Sequence, residues 1–292
     1  MFSGTFTALV TPFRDDRFDE EAFTQLVEAQ IAGGVEGIVP VGTTGESPTL
    51  DHGEHLRVIE LAAQVAAKRV KVIAGTGSNS TAEAIDLTVA AEKSGADAAL
   101  LVAPYYNKPS QQGLFLHFSK IAEATKLPLI LYSIPSRCGI EIAIETVRRL
   151  ADACPTIVAI KEAGGSVERV SGLRVALPDE FDILSGDDSL TLPFMSVGAC
   201  GVISVASNLL PKTVSDFVRA ALAGKGDEAR RWHQQLHPLF KGIFVEPNPV
   251  PIKHALALRG VMQPDVRLPL CAMSPPNAAD FEVLLRDFDE LS

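Results

Sequence analysis

Thr5-Phe-Thr-Ala-Leu-Val-Thr11-Pro12-Phe13 is a β-branched, apolar run that stops at a proline. Such a run reads as a buried strand, and the proline ends it because it has no N–H to give a sheet ladder. A doubly wound nucleotide-binding sheet would need a glycine-rich turn at this first strand end, where backbone must approach a pyrophosphate closely. Here the strand ends in Thr11-Pro12-Phe13 instead. Seven similar runs follow, so that residues 5–11, 37–42, 71–76, 97–103, 128–133, 157–161, 181–185 and 201–205 are candidate strands. Their ends lie roughly 20–35 residues apart, the size of a compact strand–helix step. Cap chemistry marks the helices between them: Asp51 precedes Glu54, and Ser80 precedes Glu83, at capping-box spacing. Gly33-Gly34 falls where a helix should stop. Eight such steps predict an α/β chain folded as a (β/α)8 TIM barrel.

Beyond residue 210 the strand signals cease. Residues 214–223, 227–240, 250–258 and 278–289 have helical patterns, with proline and glycine at the joints. The first completes the barrel. We therefore expect residues 1–224 to form a barrel carrying the site, and residues 225–292 a C-terminal helical extension packed on it.

A chain of 292 residues with 47% hydrophobic side chains can bury a large core. A net charge of −10 argues against nucleic acid or a membrane surface as partner. No signal-like N-terminal segment and no apolar run of spanning length are present, so a cytoplasmic location is expected. Cys138, Cys154, Cys200 and Cys271 have neither CxxC spacing nor a disulfide framework.

Barrel chemistry sits at the C-terminal ends of the strands. The sixth strand ends Ile157-Val-Ala-Ile-Lys161, followed by Glu162-Ala-Gly-Gly165. Burial of an ammonium lowers its pKa, and a lysine partly unprotonated near neutrality can form a Schiff base with a ketone. The alternative is a lysine that snorkels to solvent. The second strand ends Pro40-Val-Gly42-Thr43-Thr44-Gly45-Glu46, a turn able to hold a carboxylate by N–H and hydroxyl donation, or else a plain capped turn. All three tyrosines of the chain fall at two strand ends, Tyr105 and Tyr106 after the fourth and Tyr132 at the fifth, which points to a use for the phenol hydroxyl. Arg137 follows Tyr132 and could clamp a carboxylate, although surface arginines on loops are common.

His52 and His55 stand three apart beside Glu54, so they share a helix face, but no third ligand has a convincing spacing for a metal. An exposed helix face is the alternative. Gly75-Thr-Gly77 and Gly164-Gly165-Ser166 could cradle a phosphate or simply form tight turns.

Taken together, Gly42-Thr43-Thr44-Gly45-Glu46, Tyr132-x-x-Pro135-Ser136-Arg137 and Ile160-Lys161-Glu162 resemble the signature motifs of the pyruvate-dependent class I aldolases. Within that group they most resemble the dihydrodipicolinate synthase family. The likeness runs from Phe2-Ser-Gly4 through Pro104-Tyr-Tyr-Asn107 and Ser185-Gly-Asp-Asp188 to Phe244-Val-Glu-Pro-Asn-Pro249.

The resemblance implies condensation of pyruvate with L-aspartate-4-semialdehyde in the lysine (diaminopimelate) branch, with no cofactor. It implies Lys161 as the Schiff-base lysine, Tyr132 as acid/base, and Thr43 and Tyr106 as its proton-relay partners, the last supplied across a subunit interface of a homotetramer (a dimer of dimers). Thr44 matches the residue holding the pyruvate carboxylate, and Arg137 the one receiving the semialdehyde carboxylate. Gly186 and Ile203 match positions lining the pyruvate side. Ser47, His52, His55, Asn79, Glu83 and Tyr105 match positions that bind L-lysine in feedback-inhibited members.

Ser133, Cys138 and Pro48 depart from the residues usual in the family. The alternatives are another pyruvate-dependent aldolase or lyase of the same superfamily, which Arg137 disfavours, and a non-catalytic barrel sensing pyruvate or lysine, which the presence of Lys161 and Tyr132 disfavours.

Overall fold

The computed structural model describes residues 2–289; Met1 and residues 290–292 of the expected extension lie outside it. Eight parallel strands close into a ring: β1 (Gly4–Ala8), β2 (Gly37–Val39), β3 (Lys71–Gly75), β4 (Ala98–Val102), β5 (Leu129–Ser133), β6 (Ile157–Glu162), β7 (Asp182–Ser185) and β8 (Gly201–Ser204). Each pairs with the next along the chain, and β8 closes on β1 with Gly201 opposite Gly4. A Cβ at Gly201 would lie 2.1 Å from the Gly4 carbonyl oxygen, so no side chain fits at that seam. The fold is the expected TIM barrel.

All eight expected strands are present, but several end early. The first stops at Ala8, because residues beyond it bond to loops: Val10 N–H donates to Asn208 Oδ1 (3.2 Å), and Thr11 Oγ1 donates to the Gly45 carbonyl (2.7 Å). An unanticipated hairpin follows, pairing Phe13–Arg14 with Arg17–Phe18. Its turn residues Asp15 and Asp16 both have positive φ (51° and 60°), a conformation that aspartate tolerates better than most residues.

The helix His52–Ala66 has a complete capping box, with Asp51 Oδ1 accepting from Glu54 N–H (2.8 Å) and Glu54 accepting from Asp51 N–H (3.4 Å). At the helix Thr81–Lys93 the box is only half made. Ser80 accepts from Glu83 N–H, but the Glu83 carboxylate turns away to Ser78 and His52.

The C-terminal helices Gly226–Gly242, Val250–Leu258 and Pro275–Arg286 share one apolar core with the barrel helices, with Leu239, Ile252 and Phe281 in the same cluster as Phe23 and Phe217. Lys253 is buried within it. A buried ammonium is costly unless paired and hydrogen-bonded, and Lys253 Nζ donates to Glu46 Oε1 (2.6 Å) and the Thr11 carbonyl (2.9 Å), 4.3 Å from the Phe13 ring centroid. Glu46 Oε2 also accepts from Arg267 N–H (3.0 Å), so the C-terminal segment is fastened to the turn after β2. Among the described residues, no helix is long and apolar enough to cross a membrane.

Candidate active site

In parallel strands the side chains alternate between faces, so a lysine at a strand end is aimed by its register. Lys161 on β6 lies opposite Tyr132 on β5 and Leu184 on β7. Its neighbour Glu162 turns to Arg169 (Nε to Oε2, 2.8 Å). Lys161 is buried, and its Nζ rests 4.3 Å from the centroid of the Tyr132 ring. Burial lowers its pKa to about 8, with Asp188 pulling upward and Arg137 pushing further down. At neutral pH roughly a tenth of the lysine is then free amine, against a negligible fraction for an ordinary lysine. Gly186 gives the side chain room: a Cβ there would meet Ala163 Cβ at 2.8 Å and Lys161 Cε at 3.0 Å.

Tyr132 is buried, and burial raises its phenol to about 12, opposed by the Arg137 charge and a hydrogen bond from Thr43. It therefore keeps its proton until something demands it, as an acid/base paired with a nearby amine should. A cavity of about 240 Å³ opens here, with Thr43, Tyr132, Arg137 and Cys138 on its wall. Lys161 is not on that wall but touches it through the Tyr132 ring. Arg137, on the short helix Pro135–Cys138, is exposed and makes no ion pair among the described residues. Burial pushes the Cys138 thiol up to about 11, so it is an inert neighbour.

Thr44 is buried beside the cavity, its Oγ1 accepting from Asn248 Nδ2 (2.9 Å). Ile203 is buried on β8, opposite Phe6. Tyr106 is different: it is 90% exposed, has a φ of 71° and is absent from the cavity wall, so a single chain does not bring it to Tyr132.

The second expected constellation gathers next door. His52 Nε2 lies 2.8 Å from Glu83 Oε1, and Ser78 donates to the other Glu83 oxygen, holding the carboxyl below the usual range. Asn79 Nδ2 donates to the Tyr105 carbonyl (3.2 Å). His55 does not share the exposed face of His52. It is buried with a ring nitrogen 2.9 Å from the Gly75 carbonyl, and burial lowers its pKa. Glu54 is bonded to Arg267, and no group of three His, Cys, Asp or Glu among the described residues could hold a metal. Ser47 and Tyr105 line the same cavity as Thr43 and Tyr132, so the two constellations share a wall.

At Gly75-Thr-Gly77 the backbone packs too closely for a side chain: a Cβ at Gly75 would lie 2.4 Å from the Val41 carbonyl oxygen, and one at Gly77 would lie 2.3 Å from Val102 N, while both glycines line the cavity beside Tyr132. A second cavity, about 1040 Å³, lies apart from this chemistry, between residues 48–54 and 264–272. Its Arg267 is taken up by Glu54 and Asp16.

Three residues of this region carry no role in the sequence reading. Lys253 and Asn248 support the Gly42–Glu46 turn from the C-terminal segment, and Asp188, within the quoted Ser185-Gly-Asp-Asp188, is buried at the end of β7. The signal for Asp188 was its place at a barrel strand end. Asn248 lies within the quoted Phe244-Val-Glu-Pro-Asn-Pro249, but Lys253 gave no signal, since its partner Glu46 lies more than 200 positions away in sequence.

A buried, pKa-lowered lysine against a tyrosine at the C-terminal rim of a TIM barrel defines a Schiff-base enzyme of the class I aldolase type. The family model for the dihydrodipicolinate synthetase family matches residues 1–287, and the chain belongs to that family. It is 51% identical over 288 residues to the 4-hydroxy-tetrahydrodipicolinate synthase of Geotalea uraniireducens, covering 99% of each chain. The solved 4-hydroxy-tetrahydrodipicolinate synthase of Methylacidiphilum fumariolicum SolV superposes with a TM-score of 0.98 at 56% identity, covering 100% of this chain and 97% of that one. A synthase from Cyanidioschyzon merolae, solved with lysine bound, superposes with a TM-score of 0.95 at 40% identity over 98% of both chains.

Proposed function

We propose that this chain condenses pyruvate with L-aspartate-4-semialdehyde to give 4-hydroxy-tetrahydrodipicolinate, in lysine biosynthesis. The observation that carries the reading is Lys161, buried with its pKa lowered to about 8 and its Nζ on the Tyr132 ring. In this reading residues 1–224 are the catalytic barrel and residues 225–292 the supporting extension.

The free amine of Lys161 attacks C2 of pyruvate, whose carboxylate Thr44 receives. One proton from the amine and one from Tyr132 turn the former ketone oxygen into water, which leaves, and an iminium remains. The Tyr132 phenolate takes a C3 proton to give an enamine, whose C3 bonds to the aldehyde carbon while Tyr132 returns that proton to the aldehyde oxygen. Arg137 holds the semialdehyde carboxylate at the cavity mouth. The amino group of the semialdehyde then displaces Lys161 at C2, closing the ring and freeing the lysine. Thr43 orients the Tyr132 hydroxyl; Gly186 and Ile203 line the pyruvate side. Each proton move needs a donor within hydrogen-bond reach.

Tyr106 serves as the outer member of the relay in a neighbouring subunit of a homotetramer (a dimer of dimers), which its 90% exposure supports. The enzyme works in the cytoplasm. L-lysine binds at Ser47, His52, His55, Asn79, Glu83 and Tyr105; the Glu83 carboxylate supplies the charge for its ammonium, and the shared cavity wall supplies the route to the site.

The test is borohydride treatment with pyruvate, followed by intact-mass measurement and peptide mapping. A single adduct on Lys161, lost in Lys161→Ala, is expected. A folded protein that forms no adduct, or a Lys161→Ala variant still captured, would overturn the reading.

A further inference from the structure

Asp188 is an acid with no assigned role and an unusual setting. It stands in the 3-10 turn Asp188–Leu190, just past β7, and the residue is only 2% exposed. Three donors converge on it: Ser204 Oγ on Oδ1 (2.5 Å), and the backbone N–H groups of Val205 (2.9 Å) and Ala206 (3.3 Å) on Oδ2. The turn that carries it is locked. Ser185 Oγ donates to the Asp187 carbonyl (2.8 Å), and Asp187 Oδ1 accepts from Ser189 N–H (2.8 Å). Its Gly186 runs against the Lys161 stem so closely that a Cβ would sit 3.0 Å from Lys161 Cε. The carboxylate is thus fixed two residues past the Lys161 contact, yet no salt bridge joins the two side chains. A buried carboxylate supplied with donors but no cation in contact is costly, so a charge nearby must offset part of that cost.

We propose that Asp188 is the fixed counter-charge of Lys161, and that it balances the iminium the lysine becomes. This rests on the Schiff-base reading above. The charge bookkeeping is simple. Ammonium plus ketone gives iminium plus water, with the positive charge on Nζ absent at the free amine, at the carbinolamine and at the enamine. A fixed anion favours the ammonium and the iminium over these neutral forms. It therefore slows creation of the free amine and stabilises the covalent intermediate, without touching substrate. Asp188 is a positioning residue in this sense.

The groups that face this pair are few. Lys161 meets the Tyr132 ring from β5, and the charges that act on it are Arg137, on the short helix after β5, and Asp188, in the turn after β7. Of the two charges that reach Lys161, Asp188 pulls its pKa up and Arg137 pushes it down. Asp188 itself faces Ser204 and the two amides after β8, with Asp187 next to it in sequence. Burial raises Asp188 to about 6, with Asp187 adding to the rise and the three donors opposing it, so the carboxylate is charged wherever the enzyme would work at neutral pH.

Asp188→Asn tests this, since the amide oxygen can still accept from Val205 and Ala206 while the charge is lost. The pH midpoint of Lys161 is read in two ways on the full chain: from the initial rate of borohydride capture with pyruvate, and from reductive methylation by formaldehyde mapped to the Lys161 peptide. We expect the midpoint to fall by about one pH unit, and the amount of captured adduct on the alkaline plateau to fall severalfold. A folded variant with the wild-type midpoint would overturn the proposal. A merely structural role would lower capture without moving the midpoint.

Should Asp188→Asn not fold, Asp188→Ser decides, because its hydroxyl can still accept from a backbone N–H while the charge is lost. A fall of about one unit supports the proposal; no change overturns it. The methylation readout does not use pyruvate. Absence of a pyruvate adduct in the wild type would therefore sink the reaction, while the Lys161 midpoint would still judge the charge pairing.

Discussion

Tyr132 and Lys161 are register partners on neighbouring parallel strands, and the Lys161 ammonium lies 4.3 Å from the centre of the Tyr132 ring. One side chain thus dries the other, and the phenol hydroxyl is carried on the same wall. Burial acts on the two in opposite senses, lowering Lys161 to about 8 and raising Tyr132 to about 12. The amine is the group that deprotonates first. Its reactive form grows as pH rises, so the rate of adduct formation with pyruvate should climb about tenfold per unit below pH 8 and level off above it. A stopped-flow or quenched capture series from pH 6 to 10 checks this.

Tyr132→Phe keeps the ring against the ammonium and removes only the hydroxyl. Turnover should fall about 10²–10⁴-fold, the usual contribution of one acid/base group, while circular dichroism and the Lys161 midpoint stay near wild type. An equal collapse of the midpoint would show that the ring environment, rather than the proton, had been lost.

Arg137→Ala should raise the KM for the semialdehyde by roughly tenfold to a hundredfold, the loss of one charge-assisted hydrogen-bonded contact. Capture of pyruvate should persist. Because the guanidinium pushes the lysine pKa down, its removal should move the capture midpoint upward, opposite in sign to the Asp188→Asn shift. Steady-state kinetics with each substrate varied, alongside the capture series, separates the two effects.

Glu83→Gln removes the charge offered to a lysine ammonium and weakens the pair with His52. Inhibition by L-lysine should require about tenfold more lysine or greater, the scale of one charged contact. Isothermal titration with L-lysine, compared with turnover in its absence, distinguishes a lost binding contact from a disturbed cavity wall.

Lys253→Met strands the Glu46 carboxylate in the core, a loss of about 3 kcal/mol for a broken buried pair. Thermal melting should drop by about 6 °C. The double replacement Glu46→Gln with Lys253→Met should recover part of it, since no unpaired charge is then left behind. A single variant that melts like wild type would mean that water reaches Glu46 and screens the loss.

Short β-branched apolar runs place all eight strands, and the caps Asp51 and Ser80 place two helix starts, because those signals are local. Strand ends moved where loop contacts took over, as Val10 and Thr11 bond to Asn208 and Gly45 instead of to a ladder. The hairpin at Asp15-Asp16 escaped notice because its turn lacks the glycine that usually announces left-handed backbone. Lys161, Tyr132, Thr43 and Arg137 were legible as strand-end chemistry on a barrel. Lys253 was not: a lysine within an apolar helix reads as a surface residue until its partner is known. His55 misled for the complementary reason. Spacing alone puts it beside His52, and only the packing of that helix on β3 decides that one ring is dry and the other wet.

Closure of the ring has a consequence for how the protein comes to exist. β1 pairs with β2 early in the chain, but its pairing with β8, from Gly4–Gly201 to Thr7–Ser204, spans nearly the full length of the barrel sequence. Loop-closure entropy makes such a distant pairing slow, and until it forms both end strands expose unpaired edges to other chains. During synthesis, β5 and β6 emerge with their lysine and tyrosine well before the strand that completes the ring. A nascent chain stopped short of Ser204 would carry the reactive pair on an open, wet sheet, so both solubility and the poised amine depend on the last strand to leave the ribosome.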